Sequence, residues 1–310
     1  MAGTQRSVLR AAQWIFAALI LFFAGRALLH QWSRAEARLV HVQLHWGAIV
    51  AASVLVLGTY AILVEGWRRV LAAWGGPLDY LAAARIWCLS NLGKYIPGNV
   101  WSLTAMGMMA RDRGVSAIAA AGSSIVMQLL TLAFGVGVVL LTGAQLIGKP
   151  PLVGATAVFL IAFILLAPRI LPRLMTLLGR VTGRVIEEPR IPAGTIWAAS
   201  LAAAASWVLY GIAFKLFAAG LLGDASGATM SYIAVYTAAY ILGFISPIAP
   251  AGLGVREVAL AAGLTQFGLA TGGDAALLAI AARLWLTVLE LIPSAGFVAA
   301  SAIGRKSTSS

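Results

Sequence analysis

Most of the chain alternates between long apolar runs and short polar connections. Apolar runs cover residues 11–29, 44–64, 117–141, 151–168, 195–222 and 274–302. Each is close to the roughly 20 residues a helix needs to cross a hydrocarbon layer about 30 Å thick. Two further segments, 80–110 and 230–270, are just as apolar but are broken at mid-length. The first break is Asn91-Leu92-Gly93-Lys94-Tyr95-Ile96-Pro97-Gly98-Asn99-Val100-Trp101, and the second runs from Ser246 through Pro247, Pro250 and Gly252 to Gly254. Irregular backbone at membrane depth survives only where protein buries it or where it lines a wet cavity. Both breaks are therefore candidate sites before their side chains are considered.

The cations between the runs set an orientation. Arg6 and Arg10, Arg68 and Arg69, Arg111 and Arg113, the arginines of 169–190, and Arg305 with Lys306 form five clusters. The connections at 142–150 and 223–229 are nearly free of cations. Basic residues collect in cytoplasmic loops. All five clusters fall on one side if six runs span and both broken segments return to the side they entered from. Arg34 and Arg38, partly offset by Glu36, are the exception. Both termini are then cytoplasmic. The broken segments become re-entrant hairpins with arms of about 81–92 and 99–110 in the first, although two tilted spans each would give the same parity.

Each half then reads span, span, hairpin, span, with opposite starting directions. The expected fold is an all-α polytopic membrane protein: six full spans plus two re-entrant helical hairpins in an inverted-topology repeat, about 10–141 and 151–302. Broken segments in matching positions of two such halves point to a transporter site near the midplane. Between the halves, residues 170–188 place leucines and valines at helical spacing with arginines between them. That pattern predicts an amphipathic helix on the inner interface. Trp32, Trp46, Trp67, Trp74 and Trp197 fall near run ends as interface anchors.

Composition agrees with one integral membrane domain over residues 1–310. The chain is 61% hydrophobic and 10% charged, against about 25% charged in soluble domains. The net charge of +12 is accounted for by loop cations and implies contact with anionic lipid rather than nucleic acid. One cysteine, Cys88, excludes an internal disulfide. His30, His41 and His45 lack zinc-ligand spacing, so neither a metal nor a cofactor is expected. Residues 1–37 lack the short core and close cleavage site of a signal peptide, so the first run is read as a retained helix.

Ionisable groups inside apolar segments cost a few kcal/mol each and are functional candidates by default. They are Arg26, Arg85, Lys94, Lys215, Arg256, Glu257, Arg283 and Glu290. Cations exceed anions six to two, and an anionic ligand would complete the set. Lys94 sits in the first tip; Arg256 lies one turn into the half-helix after the second. The free N–H groups and dipole of a half-helix N-terminus attract phosphate or carboxylate. Either cation could instead tie its tip down through backbone carbonyls. Arg283, Thr287 and Glu290 share one face of the last run, with Glu257 a candidate partner for Arg283 and further partners expected elsewhere. Gln128, at mid-run, is placed to hydrogen-bond a hairpin. Arg26, Arg85 and Lys215 lie near enough to run ends to snorkel. Asn91, Asn99 and Trp101 flank Lys94 and complete the substrate-binding candidates. Gly93, Pro97, Gly98, Pro247, Pro250, Gly252 and Gly254 shape the tips. Gly252–Glu257 is not a dinucleotide fingerprint, because the third glycine and the preceding strand are missing. No catalytic constellation is found, so an enzyme is not expected.

The run Gly93-Lys94-Tyr95-Ile96-Pro97-Gly98-Asn99-Val100-Trp101, then Ala110-Arg111, then Pro250-Ala251-Gly252-Leu253-Gly254-Val255-Arg256-Glu257, then Arg283, resembles the lysylphosphatidylglycerol synthase transmembrane region family, also called the flippase-like domain. The likeness runs from about residue 10 to 300. It implies a bacterial or archaeal inner-membrane protein that moves lipids or lipid-linked sugars. Synthase members add an aminoacyltransferase domain that is not present in these 310 residues, so lipid aminoacylation is not expected. Gln128 stands where many relatives carry an acidic residue. The expected function is a flippase-type transporter of an anionic phospholipid or a polyprenyl-phosphate-linked intermediate. Its rivals are a membrane transferase using a lipid donor, for which Glu257 and Glu290 are the internal carboxylates, and a non-catalytic partner of a lipid or glycan synthase.

Overall fold

The computed structural model describes residues 44–95, 101–144, 151–181, 191–246 and 252–307. The described residues form helices joined by short turns. They are α1 (Trp46–Ala73), α2 (Tyr80–Asn91) followed by a 3-10 turn (Leu92–Tyr95), α3 (Trp101–Arg111), α4 (Ala117–Gly143), α5 (Pro151–Val181), α6 (Ala193–Leu222), α7 (Thr229–Ile245), α8 (Val255–Gln266) and α9 (Gly272–Ser307). Five of them, α1, α4, α5, α6 and α9, are long and apolar enough to cross a membrane. The predicted first span, 11–29, lies outside the described residues.

Several boundaries differ from expectation. α1 continues past residue 64 to Ala73 because its charges are neutralised locally. Arg68 donates to both oxygens of Glu65 at 2.7 and 2.9 Å, and Arg69 donates to the same carboxylate at 2.7 Å. These are the i+3 and i+4 positions that face one another on a helix. α5 runs unbroken from Pro151 to Val181, so the predicted span and the first part of the interfacial helix are one element. Helices at membrane depth tolerate internal prolines such as Pro168 and Pro172 when neighbouring groups satisfy the freed carbonyls. Residues 182–190 lie outside the described set.

The broken segments are two helix pairs, α2–α3 and α7–α8. At 1.5 Å per residue α2 and α8 are about 18 Å long and α7 about 25 Å, so none crosses a 30 Å layer alone. Asp79 caps α2 by accepting from the Ala82 N–H at 2.8 Å. α1 packs antiparallel along α6, and the His45 N–H donates to the Gly220 carbonyl at 2.8 Å. Several of the other packings come in matched pairs. α1 on α2 is matched by α6 on α7, α3 on α4 by α8 on α9, α4 on α7 by α9 on α2, and α4 on α6 by α9 on α1.

Small residues set the closest approaches. A β-carbon on Gly211 of α6 would lie 2.5 Å from the Ile233 α-carbon on α7, whereas one on Gly58 would meet nothing within 4 Å. Packing, rather than a hydrophobic drive, holds helices together in lipid. Gly211→Ala should therefore destabilise the fold by about 1–3 kcal/mol through overpacking. Gly58→Ala should be neutral or slightly stabilising. Thermal unfolding of the two variants in the same detergent checks this; equal midpoints would count against the α6–α7 contact.

Candidate functional site

The first tip is built from the end of α2. The helix tightens into one 3-10 turn, which carries Lys94 and Tyr95 inward, and Gly93 sits against α3. A β-carbon at Gly93 would lie 2.7 Å from the backbone nitrogen of Ser102. Lys94 Nζ donates to Glu290 Oε1 at 2.5 Å, and Tyr95 donates to Glu290 Oε2 at 2.8 Å. The Tyr95 hydroxyl also lies 3.2 Å from Thr287 Oγ1. The first hairpin is thus fastened to α9 by one carboxylate shared between two donors.

The second tip is shaped by glycine. Gly252 has φ +69°, and a β-carbon there would lie 2.7 Å from the Gly243 carbonyl oxygen; Gly254 has φ +84°. Both conformations favour a residue with no side chain. α8 then begins, and Glu257 Oε2 accepts from the Gly254 N–H at 2.6 Å. Sequence reasoning expects this N-terminus to offer free N–H groups to a ligand, but Glu257 already caps it. A carboxylate three residues after the cap satisfies an orphan donor and complements the helix dipole. Glu257 Oε1 lies 3.7 Å from Arg283 Nε, so the expected Glu257–Arg283 pair is present. Arg283 and Glu290 each find a partner from another element.

Arg256 differs from the other two cations. It is 8% exposed, and Nη2 donates to the Tyr236 hydroxyl at 3.0 Å. Its guanidinium lies 4.6 Å from the Tyr240 ring centroid and 5.3 Å from that of Tyr236. Among the described residues no carboxylate comes within ion-pair distance of it. Ring faces stabilise a desolvated guanidinium without cancelling its charge.

Between the tips lies a cavity of about 320 Å³. Lys94, Arg256 and Arg283 reach it together. Its other polar groups are Ser90, Asn91, Ser102, Ser124, Gln128, Thr131 and Ser246. Trp67, Trp87, Trp207 and Tyr240 form much of its apolar wall. Leu63 and Trp67 on α1 and Ser124 on α4 line it from the halves of their helices nearest Arg68, Arg69 and Arg113, and Arg283 lines it from the first half of α9. Beyond the tips, toward the opposite face, Val56, Tyr60, Phe214, Tyr232, Tyr236, Leu260, Leu264 and Leu278 pack into one buried cluster.

The remaining expected site residues divide as follows. Glu257 and Glu290 stand behind the cavity wall and hold its cations. Trp101 opens α3, is 42% exposed and is not among the residues lining the cavity. Asn99, Pro97, Gly98, Pro247 and Pro250 lie outside the described residues. Lys215 reaches the Gly227 carbonyl at 2.8 Å and Thr229 Oγ1 at 3.3 Å, which anchors the turn before α7. Sequence reasoning passed over Tyr95, Tyr236 and Tyr240 as site residues. The i, i+4, i+8 spacing of Tyr232, Tyr236 and Tyr240 was the available signal, since it aligns three hydroxyl-bearing rings on one face of α7.

The Lys94–Glu290 pair gives a test of the tip's anchoring. Glu290→Gln strands a largely buried ammonium and should cost about 3 kcal/mol of stability. Adding Lys94→Met should restore part of the loss, because a neutral pair leaves no uncompensated charge. Thermal unfolding of the single and double variants decides the point. A double variant no more stable than Glu290→Gln would show that the pair does not anchor the hairpin.

A profile of the family described as Lysylphosphatidylglycerol synthase TM region matches residues 10–293. No curated protein matches the chain.

Proposed function

We propose a transport function from one premise: the chain belongs to the lysylphosphatidylglycerol synthase TM region family. That family makes it a multi-pass membrane protein with a lipid-related role. The proposed activity is that of a flippase, moving an anionic phospholipid or a polyprenyl-phosphate-linked intermediate across the membrane. The head group occupies the cavity between the tips and the acyl or prenyl tails stay in lipid. The observation that carries this reading is Arg256, a buried guanidinium that lines the cavity with no carboxylate partner among the described residues. A phosphate oxygen is the complement such a group lacks.

The architecture that goes with this reading has six spans, with residues 11–29 supplying the first, and two re-entrant hairpins in an inverted repeat. Its support is the matched packing of the two halves about the α1–α6 contact. Proteins of this type place substrate where the broken helices of the two repeats meet. The Arg-rich face is assigned to the cytoplasm by loop charge, with both termini on that side and the protein in the bacterial or archaeal inner membrane. With that assignment Leu63, Trp67 and Ser124 put part of the cavity wall in the cytoplasmic half. Exchange to the other leaflet requires the aromatic cluster around Tyr60 and Tyr236 to part. The Lys94–Glu290 and Tyr95–Glu290 contacts are the polar ties at that level.

The transferase reading is weaker. It needs a carboxylate free to act as acid, base or nucleophile. Glu257 and Glu290 are instead engaged by Gly254, Arg283, Lys94 and Tyr95, and neither lines the cavity.

Purified protein in liposomes should move a fluorescent anionic phospholipid between leaflets. Arg256→Ala should slow that movement on the order of tenfold or more, the scale of a lost charge-assisted hydrogen bond. If Arg256→Ala and Lys94→Ala both move lipid at the unaltered rate, the cavity is not the transport site.

A further inference from the structure

We infer that the cavity selects a head group with a single net negative charge, and that this selectivity comes from Arg256 and requires position 128, here Gln128, to carry no charge. The inference rests on the transport reading and specifies its substrate.

Three cations reach the cavity, and two carboxylates stand behind them. Lys94 is held by Glu290 and Arg283 by Glu257, which leaves the charge of Arg256. The chain has ten acidic residues, and the described ones are occupied or distant. Glu65 is held by Arg68 and Arg69. Asp79 caps α2, and Asp274 accepts from Thr271 at the start of α9. Asp112 and Asp224 are exposed at helix ends. Glu36, Glu187 and Glu188 lie outside the described residues. The walls thus carry one uncompensated positive charge in a setting of low dielectric, where a unit charge acts strongly over several ångströms.

Gln128 is a wall position at which a charge would alter this balance. It is the twelfth residue of α4, and Arg283 is the twelfth of α9. These two helices close the two halves of the chain, and both residues line the same cavity. One presents a cation and the other a neutral amide. α4 is about 40 Å long, so Gln128 lies near mid-membrane, and its side chain is exposed at the cavity edge. An amide both donates and accepts, so it can hydrogen-bond a phosphate oxygen or a head-group hydroxyl while adding no charge. An acid there would cancel the excess charge of Arg256.

A phosphodiester brings one negative charge and balances the site. A pyrophosphate brings more than one and leaves the surplus unpaired in an apolar surround. A zwitterionic head brings its own cation into a cavity that already has three. The volume of about 320 Å³ lies within the ~300–1,000 Å³ range of ligand pockets, enough for a phosphodiester with one small substituent.

The test uses purified full-length protein and three lipids with identical short acyl chains: phosphatidylmethanol, phosphatidylcholine and diacylglycerol pyrophosphate. Binding is followed by native mass spectrometry, and each protein's thermal midpoint is recorded. Phosphatidylmethanol should bind on the order of tenfold more tightly than the other two. Gln128→Glu should abolish that preference. Gln128→Met, which removes the amide without adding charge, should weaken all three lipids alike and keep their ratio. Should Gln128→Glu fail to fold, Arg256→Gln replaces it, and it too should lose the preference. Equal binding of the three lipids by the unaltered protein, or an undiminished preference in Gln128→Glu, overturns the inference; continued lipid movement in liposomes would then leave the transport reading standing. Absence of both lipid binding and lipid movement overturns the two together.

Discussion

A helix that ends inside a packed apolar interior leaves backbone donors and acceptors that must find partners, and the organisation of the described residues follows from how the ends at the two breaks are satisfied. At the second tip the Glu257 carboxylate closes on the Gly254 N–H. At the first, a 3-10 turn delivers Lys94 and Tyr95 to Glu290. Both carboxylates are thereby committed to holding hairpins in place. Each interruption is fastened to the other half of the structure or to its own helix start, and the two tips are brought to one place.

That commitment has an electrostatic consequence. Two carboxylates brace the tips and engage two of the three cations, so the third, Arg256, keeps its charge. It is made tolerable by Tyr236 and Tyr240, which offer a hydroxyl and two ring faces. Two buried apolar clusters, one around Tyr60, Phe214, Tyr236 and Leu278 and one around Trp67, Leu71, Leu130 and Ile196, flank the cavity.

Much of this was legible along the chain because the membrane imposes simple rules. Run length marked the long helices, and Pro/Gly breaks marked the tips. The face shared by Arg283, Thr287 and Glu290 followed from helical periodicity, and the Glu257–Arg283 pair was among the partners it suggested. Other features were not legible. The extension of α1 to Ala73 depends on Glu65 clasping two arginines, and α5 runs through the point where its hydrophobic run ends. Tyr95 reads as one more aromatic until Glu290, 195 positions away, is placed beside it.

The sequence by itself determined that this is a polytopic helical membrane protein, where its helices are broken, and that its internal cations outnumber its anions. Those properties are local or additive, because each residue meets the same apolar layer and its cost does not depend on its neighbours. Which cation is neutralised by which carboxylate was decided only by the tertiary structure. Pairing depends on side chains from distant elements arriving within a few ångströms, and Lys94 with Glu290, Glu257 with the end of its own helix, and Arg256 with two tyrosines are outcomes of that arrangement. The cavity belongs to the same class, since an empty space exists only by virtue of everything packed around it.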